Sequence, residues 1–371
     1  MTRRETYLDW NATAPLRPEA GAAVAAALAQ GGNPSSVHRR GRAARQRIER
    51  ARETVAALVN AAPDGVVFVS GGTEANHLAL LGSGRARVLV SAVEHNSVLQ
   101  AVPDAERIPV DPNGIVDLDA LDAMLRSDKR PALVSVMLAN NETGVMQPAA
   151  RIADIAHAHG ALFHCDAVQA AGKLPLDPAM IGADLISLSA HKFGGPPGIG
   201  ALIVIGNAEP TALLRGGGQE RGRRAGTENL PGIAGFAAAA EAALAGLADY
   251  KRVRRLRDAL EAAALSAVPE ALVIGGTAPR LPNTSALTLP GIAAETQVIA
   301  LDLNGVMVSA GAACSSGKVG PSHVLQAMGL PPGIAGATIR ISLGWTTTEA
   351  GIDHFLEIWT ALTRRATPRA A

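Results

Sequence analysis

Six short apolar runs mark the first part of the chain, at residues 66–70, 87–91, 133–138, 161–165, 184–188 and 201–205. Their length and β-branched content predict buried strands. Between several of them, apolar positions recur at helical spacing, as in 74–81 and 149–159. Strands alternating with helices predict an α/β architecture with a mainly parallel sheet covered on both faces. A ligand of such a sheet sits at the carboxyl ends of its strands. From about Tyr250 the texture changes. A charged helix (251–264) leads to short strand-like segments at 271–274 and 285–289, a glycine-rich loop around Cys314 and a closing helix from Thr348. This half predicts a smaller α+β unit. No internal repeat or low-complexity tract interrupts the pattern.

With 371 residues, 48% of them hydrophobic, the chain can bury a core large enough for two packed units. Its 34 basic and 33 acidic residues leave a net charge of +1, so no bulk field favours nucleic acid or membrane. Arginines at 39, 40, 42, 45, 47, 50 and 52 form a local basic run, and Lys251 to Arg257 another. Glu49 and Glu53 interleave with the first, so both are expected to be solvated helical faces. Aromatics are only 3%, too few for a stacking platform. The start of the chain carries no apolar leader core, and no uncharged stretch reaches membrane-spanning length. Two cysteines cannot build a disulfide framework, which makes a reducing cytoplasmic setting the default.

The chemistry concentrates where the apolar runs end. Lys192 follows the run 184–188, and Asp166 ends the run before it. The interval between them has room for one strand–helix–strand crossover. A lysine there can form a Schiff base, and a carboxylate at the neighbouring strand end can keep a pyridine nitrogen protonated. Together they suit pyridoxal phosphate (PLP). A solvated strand end is the plain alternative for either residue alone. Gly71-Gly72-Thr73 joins a strand to a helix, which makes it either an anion site of free amides or an ordinary turn capped by Thr73. His95 follows another strand end, with a side chain whose ordinary pKa suits proton transfer, or a merely structural place. Arg340 is a lone cation in the alternating stretch 338–342, apt for a carboxylate ligand or for a structural ion pair. Cys165 lies inside an apolar run and reads as buried filler. Cys314 lies among small residues near Lys318, as a mobile nucleophile would.

These residues fall within longer motifs: Ser70-Gly71-Gly72-Thr73-Glu74, Ala92-Val93-Glu94-His95-Asn96, Ala139-Asn140-Asn141-Glu142-Thr143-Gly144, Asp166-Ala167-Val168-Gln169, Ser189-Ala190-His191-Lys192, Gly216-Gly217-Gly218-Gln219-Glu220 and Gly311-Ala312-Ala313-Cys314-Ser315-Ser316-Gly317. In content and order they resemble the NifS/IscS-type cysteine desulfurases, from Tyr7 to Gly344. The resemblance implies a fold-type I PLP-dependent transferase of the class V aminotransferase kind. It places a large PLP-binding domain with a seven-stranded sheet at 17–250, and a small domain carrying the cysteine loop at 1–16 and 251–371. Lys192 would bind the cofactor, Asp166 its ring nitrogen, and Gln169 its phenolic oxygen, with His95 stacked on the ring and handling protons. Gly72, Thr73, Ser189 and His191 would hold the phosphate, joined by Thr227 from the other subunit of a homodimer. Asn11, Asn33, Asn141 and Arg340 would bind the substrate, L-cysteine. Cys314 would take its sulfur as a persulfide, release alanine, and pass the sulfur to a scaffold or sulfurtransferase.

Several positions depart from that pattern: Trp10 and Ala14 near the start, Pro197 after the lysine, Gly320 after the cysteine loop, and Trp345. They leave substrate preference open, and an end at Ala371 without an extended tail leaves the acceptor open. Three rival readings remain. One is a selenocysteine lyase or small-amino-acid aminotransferase, the latter with no need of Cys314. The second is a metal hydrolase using His157, His159, His164 and Asp166, although residues two apart on a helix point apart. The third is an inactive scaffold or regulator.

Overall fold

The computed structural model describes residues 5–311 and 322–366. Strands in chain order are β1 Thr6–Tyr7, β2 Val66–Val69, β3 Arg87–Ser91, β4 Glu106–Ile108, β5 Ala132–Ser135, β6 Leu162–Asp166, β7 Leu185–Ser189, β8 Gly200–Val204, β9 Leu272–Val273, β10 Thr284–Thr288, β11 Val306–Met307, β12 Ser309–Ala310 and β13 Thr338–Ser342. Seven of them form one sheet in the order β2-β8-β7-β6-β5-β3-β4. All neighbours are parallel except at β8, which runs antiparallel to both β2 and β7. The reason lies in the connection 190–199. A parallel return needs a crossover of a dozen or more residues, so this shorter link turns the chain back on itself. Lys192 sits in that link. Because β8 is reversed, β2 is again parallel to β7, and its carboxyl end joins the same edge as the others.

Both faces of the sheet are covered, as a parallel sheet requires. Helices α1 (Pro18–Gln30) and α2 (Arg39–Leu58) pack with Leu230–Ala245 on one face, over a core that includes Phe68, Phe163, Phe193 and Phe236. Helix α3 (Gly72–Gly82) packs on the other face, with Val67, Val90, Leu133 and Leu202 beneath it. A separate core gathers Leu8 with Leu260, Leu287, Val306, Ile339, Phe355 and Trp359. It lies under a four-stranded sheet in the order β12-β13-β10-β9, backed by Tyr250–Ala267 and Glu349–Ala366. The start of the chain belongs to this second core: β1 pairs in parallel with β11, and Asp9 bridges to Ser342. No single helix among the described residues is long and apolar enough to cross a membrane.

One expectation fails at the end of the first basic run. The run lies on α2, but Arg52 is buried rather than solvated. Its guanidinium donates to both carboxylate oxygens of Glu220, at 2.8 and 3.1 Å, and to the Val66 carbonyl at 2.7 Å. Glu220 also accepts the Phe68 N–H at 2.9 Å and has a left-handed φ of +46°. Arg257, in the second run, is likewise buried and donates to the Leu281 carbonyl at 2.9 Å. Length explains both cases: a guanidinium on a three-carbon stem can reach carbonyls and carboxylates on elements packed beneath its own helix.

Candidate active site

The carboxyl edge of the large sheet borders a cavity of about 380 Å³. Five of the seven strands contribute as they end. Gly72 and Thr73 follow β2, His95 follows β3, Asn141 follows β5, Asp166 ends β6, and Ser189, His191 and Lys192 close β7. The far wall comes from the second core, with Asn11 on the N-terminal segment and Arg340 on β13. Buried strands fix where their last residues point, and the turns beyond them are free to hold polar side chains.

Asp166 is only 6% exposed. Its Oδ2 accepts Asn76 Nδ2 at 2.8 Å, and its Oδ1 accepts the Val168 N–H at 2.9 Å. Asn76 also donates to Ser97 Oγ at 2.8 Å, while its own Oδ1 is buried without a partner. His95 caps the short helix Asn96–Leu99, its Nδ1 accepting the Ser97 N–H at 3.1 Å. That bond leaves the neutral ring's proton on Nε2. Burial holds the His95 pKa below its ordinary value, with Lys192 and His323 pushing the same way against Asp166.

Lys192 Nζ donates to the carbonyls of Asn11 and Ala12, at 2.7 and 2.9 Å. Gln169 Nε2 donates to the same Asn11 carbonyl at 3.0 Å. His191 contacts Thr13 Oγ1 at 3.2 Å, and burial, with the Lys192 charge, lowers its pKa to about 4. Arg340 both lines the cavity and forms an ion pair: Nη2 donates to Asp9 Oδ1 at 2.7 Å and Nη1 to the Asn141 carbonyl at 3.2 Å, while Nε is buried without a partner. The two readings of this arginine thus coexist. Asp9 is held in turn by Ser309 Oγ at 2.8 Å.

Two buried acids flank the site. Burial pushes the Glu94 pKa up to about 8, although its Oε1 accepts Ser91 Oγ at 2.6 Å and the Met137 N–H at 2.7 Å. Burial also pushes Glu142 up to about 7, and its Oε2 accepts Ser322 Oγ at 2.6 Å.

Of the sequence candidates, Asn11, Gly72, Thr73, His95, Asn141, Asp166, Gln169, Ser189, His191, Lys192 and Arg340 meet at this one cavity. Asn33 does not; it is exposed, and its Oδ1 accepts the Ser35 N–H at 2.9 Å. Thr227 is exposed as well and borders a second cavity of about 250 Å³ with Ser70, Gly198 and Arg224. Cys314 and Gly320 lie outside the described residues. Cys165 is fully buried on β6, where burial raises its thiol pKa far up. The histidines of the metal reading part company: His157 pairs with Asp184 at 3.0 Å, His159 with Asp122 at 2.7 Å, and His164 sits between Ser135 and Ser187. Trp10 and Trp345 pack edge to face at 4.5 Å, with the Arg17 guanidinium 3.8 Å over Trp345.

Sequence reasoning missed Asn76, Ser97 and Lys173. Asn76 stands three residues after Thr73 on α3, a spacing that puts both on one face. Lys173 follows Gln169 by one turn. Its Nζ donates to Gln169 Oε1 at 2.8 Å and Asn11 Oδ1 at 2.9 Å.

The chain is similar to known proteins over nearly its whole length. The family described as aminotransferase class-V matches residues 6–355. A cysteine desulfurase of Cereibacter sphaeroides is 47% identical over 367 residues, covering 95% of this chain and 94% of that protein. The solved NifS-like protein of Rickettsia africae superposes with a TM-score of 0.90 at 34% identity, covering 97% of this chain and all of that one. A structure of SspA in complex with cysteine superposes with a TM-score of 0.78 at 28% identity, over 91% and 98% of the two chains.

Proposed function

This chain belongs to the aminotransferase class-V family and is a cysteine desulfurase, and we propose that it works on L-cysteine with pyridoxal phosphate held in the cavity at the sheet edge. One observation carries the reading. An amine (Lys192), a buried carboxylate (Asp166) and a helix N-terminus (Gly72 and Thr73) converge on that cavity from the carboxyl ends of three different strands.

The residues fit the cofactor. The first turn of α3 offers free N–H groups and the Thr73 hydroxyl to a phosphate. Glu74, the acid in that turn, is neutralised by Arg224 at 2.9 Å. A Cβ on Gly72 would lie 3.0 Å from Val168 Cγ2 and 3.4 Å from Ser189 Cβ, so a side chain there would crowd the floor. Lys192 would hold the aldehyde carbon, Asp166 the proton of the ring nitrogen, and Gln169 the phenolic oxygen. When bound, the cofactor supplies an electron sink for charge developing at the substrate Cα.

The remaining work falls to the chain. Arg340 and Asn11 would bind the substrate carboxylate, with Asn141 beside them. The Lys192 amine would take the proton from Cα. His95, with Nδ1 already accepting a backbone N–H, would donate a hydrogen bond from its Nε2–H into the cavity rather than remove a proton. The Cys314 thiolate would attack the substrate sulfur: a new S–S bond forms, the Cβ–S bond breaks, alanine leaves with the protons, and Cys314 holds a persulfide. A protein acceptor of cluster assembly or thiolation would then take that sulfur. A working thiol of this kind needs a reducing compartment, so we assign the cytoplasm.

An absorption spectrum of the purified protein, followed by sulfide and alanine assays with L-cysteine, tests the reading. The expected result is a visible band that changes on cysteine addition, with alanine formed and, in the presence of a thiol reductant that cleaves the persulfide, sulfide released in step. A protein without a chromophore after incubation with PLP would contradict it. We also propose a homodimer in which Thr227, exposed and away from its own chain's cavity, serves the phosphate of the second copy. Mixing Lys192→Ala with Thr227→Ala chains should then restore one native site per heterodimer. No recovery despite subunit exchange would refute the shared site.

A further inference from the structure

Lys173 has no part in the reaction described above, yet its position is costly. The side chain is buried next to the cavity without lining it, and its amine donates to two neutral amides, those of Gln169 and Asn11. Burial drives its pKa well down, and the charges of Lys192 and Arg340 push it the same way. A methionine would fill the same space without the desolvation of an amine. Such a placement asks for a compensating use.

The hydrogen bonds show one. Lys173 Nζ donates to both amides, so the atoms that meet it are their oxygens. Its bond to Gln169 Oε1 therefore fixes which end of that amide is nitrogen. Gln169 Nε2 then donates to the Asn11 carbonyl at 3.0 Å and has a second N–H to give, on a side chain that lines the cavity. The bond to Asn11 Oδ1 does the same for that side chain, whose Nδ2 donates to Thr284 Oγ1 at 2.9 Å and to the Asn141 carbonyl at 3.2 Å. Asn11's backbone carbonyl, held in this network, is also the acceptor of Lys192 Nζ at 2.7 Å.

We propose that Lys173 is a positioning residue: from behind the cavity wall it locks the amides of Gln169 and Asn11, so that Gln169 presents a donor to the cofactor oxygen and Lys192 keeps its carbonyl cradle. Without the amine, Gln169 Oε1 loses its donor, and the amide is held on this side only by its bond to the Asn11 carbonyl, from which it can swing away. This inference rests on the cofactor reading of the pocket, and its test separates the two.

The test compares wild type, Lys173→Met, Gln169→Leu and the double variant as PLP-loaded enzymes. It measures PLP affinity, the pH midpoint of the visible band, kcat and KM. Lys173→Met is expected to weaken PLP binding and lower kcat by about tenfold or more, as small misplacements at reacting groups do. It should move the band's pH midpoint in the same direction as Gln169→Leu, and adding it to Gln169→Leu should cost little further, since the two act as one unit. An unchanged midpoint and affinity in Lys173→Met, or fully additive effects in the double variant, would overturn the proposal. If Lys173→Met does not accumulate as folded protein, Lys173→Gln takes its place in the cycle with the same two criteria. A wild type without a visible band would overturn the cofactor reading itself, and this proposal with it.

Discussion

The two walls of the cavity are built on different terms. The first comes from a single sheet, where Thr73, His95, Asp166, Ser189 and Lys192 stand at the ends of strands seated between the two cores that cover its faces. The second comes from a separate core, which brings Asn11 from one end of the chain and Arg340 from the other. Position on the first wall follows from strand order alone. Position on the second depends on how two packed units meet, through bonds such as Asn11 Nδ2 to the Asn141 carbonyl and Arg340 Nη1 to the same oxygen. The difference assigns the labour: the rigid edge suits a cofactor that stays, and the wall across the junction suits a substrate that comes and goes.

The largest expected effect breaks the first wall. Lys192→Ala should lose both the visible band and all measurable turnover, because it removes the amine that lines the cavity. A variant that kept the band would place the cofactor elsewhere. Across the cavity, Arg340→Gln should leave the band in place and raise KM for L-cysteine by about 10- to 100-fold. That is the loss of a charge-assisted pair worth about 1.5–3 kcal/mol. A change in the band with no change in KM would reverse the assignment of the two walls.

Smaller effects concern the buried acids, one beside each wall. Glu94 has a folded-state pKa of about 8, above its ordinary 4.5. Its folded form therefore binds a proton that the unfolded chain has released. The sign follows: the stability it contributes is full below its ordinary pKa and is lost as pH rises through its folded value. Glu94→Gln should flatten the fall in melting temperature over that interval. Glu142, raised to about 7, should act the same way over a narrower interval that ends lower. An unchanged pH slope in Glu94→Gln would show that the carboxylate is not confined as described. The smallest effect is expected at Cys165. Cys165→Ser should retain turnover and lose about 1–3 kcal/mol of stability, measured by denaturant unfolding, for a buried hydroxyl without a partner.

The first wall was the more legible of the two. Apolar runs ending in Asp166 and before Lys192 announce strands and their carboxyl ends, and the position of the site follows from that rule. Less legible was anything whose role depends on contact across the fold. Arg52 looks like its solvated neighbours until Glu220, 168 positions away, arrives beneath it. Lys173 and Asn76 are polar residues in a turn and a helix, and only packing decides that they face inward. The reversal of β8 is a matter of loop length, which alternation of strands and helices does not report. The edge strand Glu106–Ile108 is too short and too charged to show a period. The alanine-rich helices α1 and Leu230–Ala245 lack the apolar contrast that marks a buried face.

The central claim is that cofactor chemistry and sulfur extraction are separate tasks of separate parts of the chain. Cys314→Ser tests it most directly, with alanine formed per active site as the measurement and mass spectrometry of the peptide containing Cys314 beside it. A hydroxyl is far less acidic than a thiol and cannot store the sulfur. The variant should bind PLP with the wild-type band and still respond to L-cysteine, yet form almost no alanine, while the wild type carries a persulfide on Cys314. Alanine formation at the wild-type rate in Cys314→Ser would contradict the account and point to a lyase or aminotransferase instead.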